Sequence, residues 1–224
     1  MELNRNQLVY CMHLANQAYN NIPQTDLDNL KIFDFDDTDG FVGEKDNTCY
    51  IVFRGSDDAS DWKSNFKFWK RPYKKIVPYE GVNSKIKVHY GFIKTYKRAR
   101  VFILNCAKKF DKVVCIGHSL GGALAIFAAL DIQYNLDPEI SCVPFASPRV
   151  GNASFARSFN GRIPDCYRFV YGQDIVTKLP PFIFFYKHVN YFFQLGEKKW
   201  YKFFGSISDH YPERYVEAMQ DLNF

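Results

Sequence analysis

The chain has 224 residues, of which 47% are hydrophobic and 24% are charged, and its formal net charge at pH 7 is +5. This composition is typical of a globular protein with a sizeable core, and no apolar run reaches the roughly 20 residues that a membrane-spanning helix needs. The first twenty residues are polar and amphipathic and lack the apolar stretch of a secretory signal. We therefore expect an intracellular protein without a transmembrane segment.

The six cysteines are widely spaced along the chain and form no C-x-x-C pair. Several of them stand inside apolar, strand-like runs such as VVCIG, TCYIVF and ISCVPF. Cysteines in such positions behave as small hydrophobic residues. We interpret them as reduced core thiols rather than as a disulfide framework or a metal site.

The first elements along the chain are a helix and a hairpin. Apolar residues at helical spacing predict a helix over residues 5–20, and two apolar runs, 41–43 and 48–53, predict strands around a turn at 45–47. Four aspartates between positions 34 and 39 resemble a calcium loop. The EF-hand register that ends at Gly40 would need an acidic residue where Phe35 stands, so we interpret these carboxylates as a solvated loop.

Residues 61–75 hold six cationic side chains against one carboxylate. Trp62, Phe66 and Trp69 share one helical face, and four lysines follow helical spacing on an adjacent face: Lys63, Lys67, Lys70 and Lys74. A basic amphipathic helix with aromatic residues suits peripheral contact with an anionic membrane surface. Two alternatives remain: the aromatic residues pack on the core while the lysines face water, or the segment binds nucleic acid, for which no fold is visible.

The centre of the chain alternates between predicted helices and strands. We predict a helix over 88–108, a strand over 112–116, a helix over 120–132 and strands over 141–146 and 166–170. A final pair of strands, 186–194 and 200–204, and a closing helix over 211–222 follow. Alternating elements of this kind predict an α/β fold, with a mostly parallel sheet and helices on both of its faces.

The most specific motif is Gly117-His118-Ser119-Leu120-Gly121, which stands between a predicted strand and a predicted helix. This context is what a G-x-S-x-G nucleophile elbow requires, because the serine hydroxyl must project from a sharp strand-to-helix turn. A side chain on either glycine would meet the neighbouring turn. We expect Ser119 to be the nucleophile and His118 to have a packing role.

A serine nucleophile needs a base, and the base needs an orienting carboxylate. Only His188 and His210 follow Ser119 in the sequence. His188 lies in a strand-like run, whereas His210 stands in a loop before the last helix, so we favour His210. Asp174 follows a predicted strand, where parallel sheets place catalytic groups, and is the preferred acid.

Six ordered blocks of the sequence resemble the class 3 lipases, the fungal-type family of the α/β-hydrolase superfamily. They include FRGS at 53–56 with Asp61 and Trp62, VHYGF at 88–92, GHSLGG at 117–122 and FASPRVGN at 145–152. The last two are DIVTKLPP at 174–181, and Asp209 and His210 followed by Tyr215. The likeness extends over almost the whole chain, which we treat as one domain, residues 1–224.

The resemblance implies a mechanism and names its residues. Ser119, Asp174 and His210 match the family's triad, and the backbone N–H groups of Ser56 and Leu120 match its oxyanion hole. Residues 57–73 match its lid, which here would carry the aromatic and lysine faces described above. No metal or cofactor is implied.

The sequence therefore predicts a serine carboxylic ester hydrolase that cleaves acyl esters of acylglycerols or phospholipids through an acyl-enzyme. A phospholipase A1 or a short-chain esterase is the alternative within the enzyme class. A lipase-like binding module with an inactive site is the alternative outside it.

Overall fold

The structure is a computed structural model, and it describes residues 1–56, 85–197 and 206–221. The predicted lid at 57–73 lies outside the described residues, and so does the predicted strand at 200–204. The predicted roles of six lid residues stay predictions for the same reason: Trp62, Lys63, Phe66, Lys67, Trp69 and Lys70.

A seven-stranded sheet forms the centre of the molecule, in the order β1-β2-β3-β4-β5-β7-β9. Its strands are β1 (Asp28–Asp34), β2 (Asp39–Lys45), β3 (Thr48–Phe53), β4 (Lys112–His118), β5 (Glu139–Phe145), β7 (Arg168–Tyr171) and β9 (Phe192–Leu195). The first three strands pair antiparallel, and the remaining pairs from β3 to β9 are parallel. A separate antiparallel pair joins β6 (Gly151–Asn152) to β8 (Tyr186–Lys187).

Within the described residues, five α-helices pack around this sheet in two layers. They are α1 (Arg5–Gln17), α2 (Tyr90–Ala107), α3 (Leu120–Leu136), α4 (Ala153–Arg162) and α5 (Pro212–Gln220). Buried residues of α2, α3 and α4 belong to one apolar cluster, and those of α1 and α5 belong to another on the opposite face. The expected α/β architecture, a mostly parallel sheet covered on both faces, is confirmed. No helix within the described ranges is long and apolar enough to cross a membrane.

Strand β4 illustrates why the central strands are apolar throughout. Val113 and Cys115 point to the cluster that contains α2, α3 and α4, whereas Val114 and Ile116 point to the α1 and α5 side. Side chains alternate between the two faces of a strand, so a sheet covered on both faces needs apolar residues at every position. The strand in turn carries the chain directly into the elbow at its carboxyl end.

The predicted hairpin is confirmed, but the aspartate-rich segment before it is not simply a loop. Asp34 ends strand β1 and Asp39 begins β2, so an additional edge strand precedes the hairpin. Only Asp36 and Asp37 remain in the turn, where both carboxylates lie near the guanidinium of Arg98. The strand escaped prediction because its side chains are mostly exposed and lack a strong apolar alternation.

Two further differences lie in the second half of the chain. Helix α4 was not predicted, although Asn152 caps it by accepting the N–H of Phe155 at 3.0 Å. The single strand predicted at 186–194 was wrong: β8 and β9 belong to different sheets. Asn190, with a left-handed φ of 47°, separates them, and its amide donates to the carbonyl oxygens of Pro164 and Cys166.

All six cysteines are free thiols, and five of them are buried. Cys115, Cys142 and Cys166 occupy neighbouring positions across the parallel strands. Burial raises the pKa of the Cys115 and Cys142 thiols, which keeps them in the uncharged form. They serve as small apolar core residues, as expected.

His89 is a buried residue whose neutral form caps helix α2. Its Nδ1 accepts the backbone N–H of Phe92 at 3.3 Å, and its ring stacks on that of Phe92. Burial lowers the pKa of the His89 imidazole from 6.5 to about 4. Between these two pH values the unfolded chain binds the proton more tightly than the folded chain does.

This difference predicts that the protein loses stability in mild acid. The contribution of neutral His89 is complete above pH 6.5 and is lost as the pH falls toward 4, because the unfolded state is then protonated first. Going from pH 7 to pH 5 should cost about 2 kcal/mol through this residue. Urea unfolding of His89→Asn, which keeps a capping oxygen but does not titrate, should show a smaller loss. Equal losses in both proteins would contradict the assignment.

Candidate active site

Ser119 stands at the turn between strand β4 and helix α3. Its backbone has φ 59° and ψ −124°, a conformation that is strained for a residue with a side chain. The turn is held in place because the Ser119 N–H donates to the carbonyl oxygen of Phe145, at the end of β5, at 2.9 Å. The predicted strand, sharp turn and helix are all present.

Glycines make this turn possible by allowing backbone segments to approach closely. A Cβ at Gly117 would lie 2.2 Å from the carbonyl carbon of Gly121, and a Cβ at Gly121 would lie 2.2 Å from the Phe53 carbonyl oxygen. Neither neighbour can give way, because each is backbone rather than the end of a flexible side chain. The steric reason expected for both glycines is therefore found in the structure.

His210 lies next to Ser119, although 91 positions separate the two residues in the sequence. Its Nε2 is 2.8 Å from the Ser119 Oγ, and its Nδ1 is 2.8 Å from Oδ2 of Asp174. Exposed fractions are only 1% for Ser119, 3% for His210 and 0% for Asp174. The structure thus brings together the three residues that the sequence proposed as a triad.

Asp174 is fixed by donors on both of its carboxylate oxygens. Oδ1 accepts the backbone N–H of Val176 at 2.8 Å. Oδ2 accepts the phenol of Tyr215 at 2.7 Å in addition to the His210 ring. A buried carboxylate needs such partners, and because Oδ2 accepts the hydrogen bond from the ring, the proton of His210 sits on Nδ1. Nε2 is then left to accept the serine proton.

Two hydrogen bonds join the loop that carries Asp174 to the loop that carries His210. The carboxylate of Asp209 accepts the backbone N–H of Gln173 at 2.9 Å. The Ser206 N–H donates to the carbonyl oxygen of Gln173 at 2.9 Å. These bonds place the residue before Asp174 directly against the residue before His210, so the two loops keep one relative position.

Tyr215 has a function in the site that was not inferred from the sequence. It lies in helix α5, is fully buried, and donates to the same oxygen of Asp174 that accepts from His210. Burial, together with the Asp174 charge, raises the pKa of the phenol well above its usual value, so Tyr215 remains a donor. No local pattern links Tyr215 to Asp174, because 41 positions of the sequence separate them.

We expect Tyr215→Phe to lower kcat about threefold to tenfold with little change in KM, because Asp174 loses one donor while His210 remains bound. Initial rates on p-nitrophenyl butyrate would measure this. Tyr96→Phe is the matched control, since Tyr96 is also buried and donates to a carboxylate, that of Asp131, at 2.7 Å. It should lose similar stability and keep kcat. Equal effects on kcat would contradict a positioning role for Tyr215.

His118 packs against the base without taking its place. Its ring centroid lies 4.9 Å from that of His210, and its Nδ1 is 2.8 Å from the hydroxyl of Tyr19, at the end of α1. Burial, with a smaller contribution from His210, holds the pKa of His118 well below its usual value. A neutral His118 does not repel the positive charge that His210 acquires during catalysis. No feature of the sequence linked Tyr19 to this site.

His188 lies outside the triad, as the sequence indicated. Its Nε2 is 2.7 Å from the carbonyl oxygen of Thr177. Burial, with the nearby Arg168 and Arg149, keeps its pKa well below the usual value. It therefore acts as a neutral residue that ties β8 to the loop after Asp174.

The two residues predicted to form the oxyanion hole flank the elbow. Leu120 is the first residue of α3, where a backbone N–H has no acceptor within the helix. Ser56 follows Gly55, whose hypothetical Cβ would lie 2.8 Å from the His118 carbonyl oxygen and 3.1 Å from the Ser119 Cβ. Both backbones thus run beside the nucleophile, and their role in binding an oxyanion stays a prediction.

The arrangement as a whole suits acyl transfer. A hydroxyl, an imidazole and an ionised carboxylate form one hydrogen-bonded series, and the N-terminus of α3 favours negative charge beside Ser119. Among the residues that the structure describes, no group of three or more His, Cys, Asp or Glu side chains is placed to hold a metal ion.

Comparison with known proteins identifies relatives of this chain. The family described as Lipase (class 3) matches residues 50–184. The chain is 32% identical over 198 residues to a lipase from Rhizomucor miehei. The aligned region covers 83% of this chain and 49% of that protein. It is 32% identical over 146 residues to secreted mono- and diacylglycerol lipase 1 of Fusarium solani, covering 62% and 41% respectively. The chain spans about half the length of the curated relatives it matches.

Solved structures with the same fold include Rhizomucor miehei triacylglyceride lipase, with a TM-score of 0.75, 27% identity and 92% of each chain covered. Lipase II from Rhizopus niveus superposes with a TM-score of 0.73 and 25% identity, covering 93% of this chain and 94% of that one. These similarities confirm the α/β-hydrolase fold. The family match extends over more than half of the residues and includes both the elbow and Asp174, and we conclude that the chain belongs to the class 3 lipase family.

Proposed function

We propose that this protein is a serine carboxylic ester hydrolase that cleaves acyl esters of lipids. The observation that carries the proposal is the continuous series of contacts from Ser119 Oγ to His210 and on to Asp174, each 2.8 Å long. A structure of a triacylglycerol lipase whose catalytic centre is a serine protease triad matches this chain with a TM-score of 0.71 and 27% identity.

The mechanism follows from the protonation states that these contacts favour. Ser119 Oγ attacks the ester carbonyl while Nε2 of His210 removes its proton. Asp174 holds the resulting imidazolium, and the proton is then passed to the leaving alcohol. Backbone N–H groups of Ser56 and Leu120 would bind the tetrahedral oxyanion, each worth about 3 kcal/mol of barrier. Water, activated by His210, then releases the acid from the acyl-enzyme.

The lipid substrate class rests on the relatives and on the surface near the site. The matched proteins carry the names lipase and mono- and diacylglycerol lipase. In this chain, four consecutive apolar side chains after Pro181 are exposed to solvent, which fits a protein that meets hydrocarbon. We propose acylglycerols or phospholipids as substrates, with a phospholipase A1 or short-chain esterase as the alternatives to be tested.

Two experiments test the proposal. A fluorophosphonate probe should label the wild-type protein at Ser119, because only an activated serine reacts, and absence of labelling would favour an inactive binding module. Hydrolysis rates on triolein, phosphatidylglycerol and p-nitrophenyl butyrate would then separate a triacylglycerol lipase, a phospholipase and a short-chain esterase. Uniformly negligible rates on all three esters would contradict the proposed substrate class.

We propose also that the protein acts inside the cell. The six free thiols support this, since cysteines stay reduced in the cytosol and tend to pair in secreted proteins. The names of several relatives describe secreted enzymes, so the location requires a direct measurement. Immunoblots of cell extract and culture medium would decide it, and recovery mainly from the medium would refute the proposal.

A further inference from the structure

The loop between Pro181 and Tyr186 exposes an unusual run of apolar side chains. Phe182, Ile183, Phe184 and Phe185 are 73%, 63%, 56% and 85% exposed. Isolated exposed apolar residues are common, but four in succession form a continuous patch that is costly in water. We call residues 182–185 the aromatic loop.

The backbone of this loop is held firmly although its side chains are not packed. The guanidinium of Arg149 donates to the carbonyl oxygens of Lys178 and Pro180, and the Arg149 N–H donates to that of Leu179. After the loop, β8 pairs with β6. The loop itself is a short 3-10 turn, with N–H groups of Phe184 and Phe185 bonded to the carbonyl oxygens of Pro181 and Phe182. A hydrogen-bonded turn therefore presents exposed apolar side chains to the solvent.

The aromatic loop lies at the same edge of the sheet as the catalytic residues. Its preceding turn begins at Val176, whose N–H binds Asp174. Its following residue, Tyr186, lies near His89, just before the start of α2. Strands β4 and β7 both end at this edge; Ser119 follows β4 directly, and Asp174 lies three residues after the end of β7. A flat partner that covered the loop would also lie along the edge of the sheet that carries Ser119 and Asp174.

Cations surround the loop on both sides. Lys178 precedes it and Lys187 follows it, and both are exposed. Lys85 and Lys87 are exposed as well, and their backbones bind Asn152 of β6, which is the partner of β8. Within the described part of the chain, none of these four lysines forms an ion pair. From position 175 to 196 the sequence contains no Asp or Glu.

We propose that the aromatic loop inserts into a lipid surface that contains anionic head groups and thereby docks the active site onto it. Apolar rings would enter the boundary between head groups and acyl chains, and the lysines would contact lipid phosphates. A water-soluble protein partner would not require a cationic rim free of carboxylates. The inference rests on the proposed lipid esterase, because it places that site against its substrate.

Vesicle binding by Ser119→Ala protein tests the proposal, since this variant leaves the lipid intact. We expect it to co-sediment with phosphatidylcholine vesicles containing phosphatidylglycerol. Adding Phe182→Ser and Phe185→Ser should raise the lipid concentration for half-maximal binding about tenfold or more. Adding Lys178→Gln and Lys187→Gln should weaken binding roughly tenfold, but only when phosphatidylglycerol is present.

Tyr191→Ser is the matched control. Tyr191 is 89% exposed, comparable to Phe185 at 85%, but it precedes β9 at the opposite edge of the sheet, so its loss should leave vesicle binding unchanged. With Ser119 intact, the Phe182→Ser and Phe185→Ser protein should keep its melting temperature and its turnover of p-nitrophenyl butyrate, which is soluble.

Three results would overturn the docking role: no vesicle binding by the Ser119→Ala protein, equal binding with and without the two phenylalanines, or loss of soluble-ester turnover when they are replaced. Fluorophosphonate labelling of the wild-type protein is independent of all three. A failure of docking is therefore distinguishable from a failure of the proposed hydrolase function.

Discussion

Replacing Ser119 by alanine should abolish ester hydrolysis while leaving the fold intact. The nucleophile and its base act as one unit, and removal of either in a serine hydrolase costs roughly 10⁵- to 10⁶-fold in kcat. What remains would come from substrate binding and from the oxyanion hole, which do not require the hydroxyl. The substitution removes a single hydrogen bond, to His210 Nε2, and should cost only about 1 kcal/mol of stability.

Initial rates on p-nitrophenyl butyrate and thermal unfolding would measure the two expectations together. Ser141→Ala provides the matched control: Ser141 is also fully buried, and its hydroxyl donates to the carbonyl oxygen of Met1, far from His210 in the fold. This variant should lose comparable stability and retain its rate. If Ser119→Ala kept a rate within about tenfold of the parent enzyme, another nucleophile would have to be sought.

The central part of the fold could be predicted because short stretches of adjacent residues determine its strands, turns and helices. Strand β4 is apolar on both faces, α3 begins directly after the elbow, and the glycines of the motif leave no room for side chains. These features appear in a few adjacent residues, so periodicity and turn chemistry are sufficient to recognise them. Edge strand β1 is mostly exposed and lacks an apolar alternation, and the short strands β8 and β9 depend on pairing with distant segments, which no local pattern records.

The same distinction applies to the site. Ser119, Asp174 and His210 could be proposed because each stands in a recognisable place relative to a strand or a helix. Tyr215 and Tyr19 could not, since their function comes from contacts across 41 and 99 positions of the sequence. The hydrogen bond from Gln173 to Asp209 likewise appears only when the two loops are folded together. The type and position of a residue predict the chemistry that it can perform. The contacts that hold that residue in place become visible only in the tertiary structure.

The second large effect is expected for Asp174→Asn, and its reason lies in the donors around the carboxylate. Oδ1 accepts the N–H of Val176, so an asparagine placed here must keep its carbonyl oxygen on that side. Its NH₂ group then takes the place of Oδ2 and points at Nδ1 of His210. The hydroxyl of Tyr215 can turn to accept the other amide proton, so this orientation satisfies every neighbour.

An amide donor facing Nδ1 forces His210 into the opposite tautomer. The ring proton then lies on Nε2 and points at Ser119, and the imidazole can no longer accept the serine proton. We expect kcat and kcat/KM to fall together by about 10⁴-fold, the size of loss found when a triad carboxylate becomes an amide. Steady-state kinetics on p-nitrophenyl butyrate would measure the loss, and the melting temperature should change little because all polar groups keep partners.

Asp131→Asn gives the contrasting result that separates catalysis from stability. Asp131 accepts two hydrogen bonds from the guanidinium of Arg100, at 2.7 and 3.0 Å, and one from Tyr96. Loss of its charge should destabilise the contact between α2 and α3 by about 1–3 kcal/mol while the rate per folded molecule stays unchanged. If Asp174→Asn were equally active, or slow only because it was unfolded, the tautomer argument would fail. A folded, inactive Asp174→Asn beside a weakened, active Asp131→Asn would establish that Asp174 acts through the proton of His210.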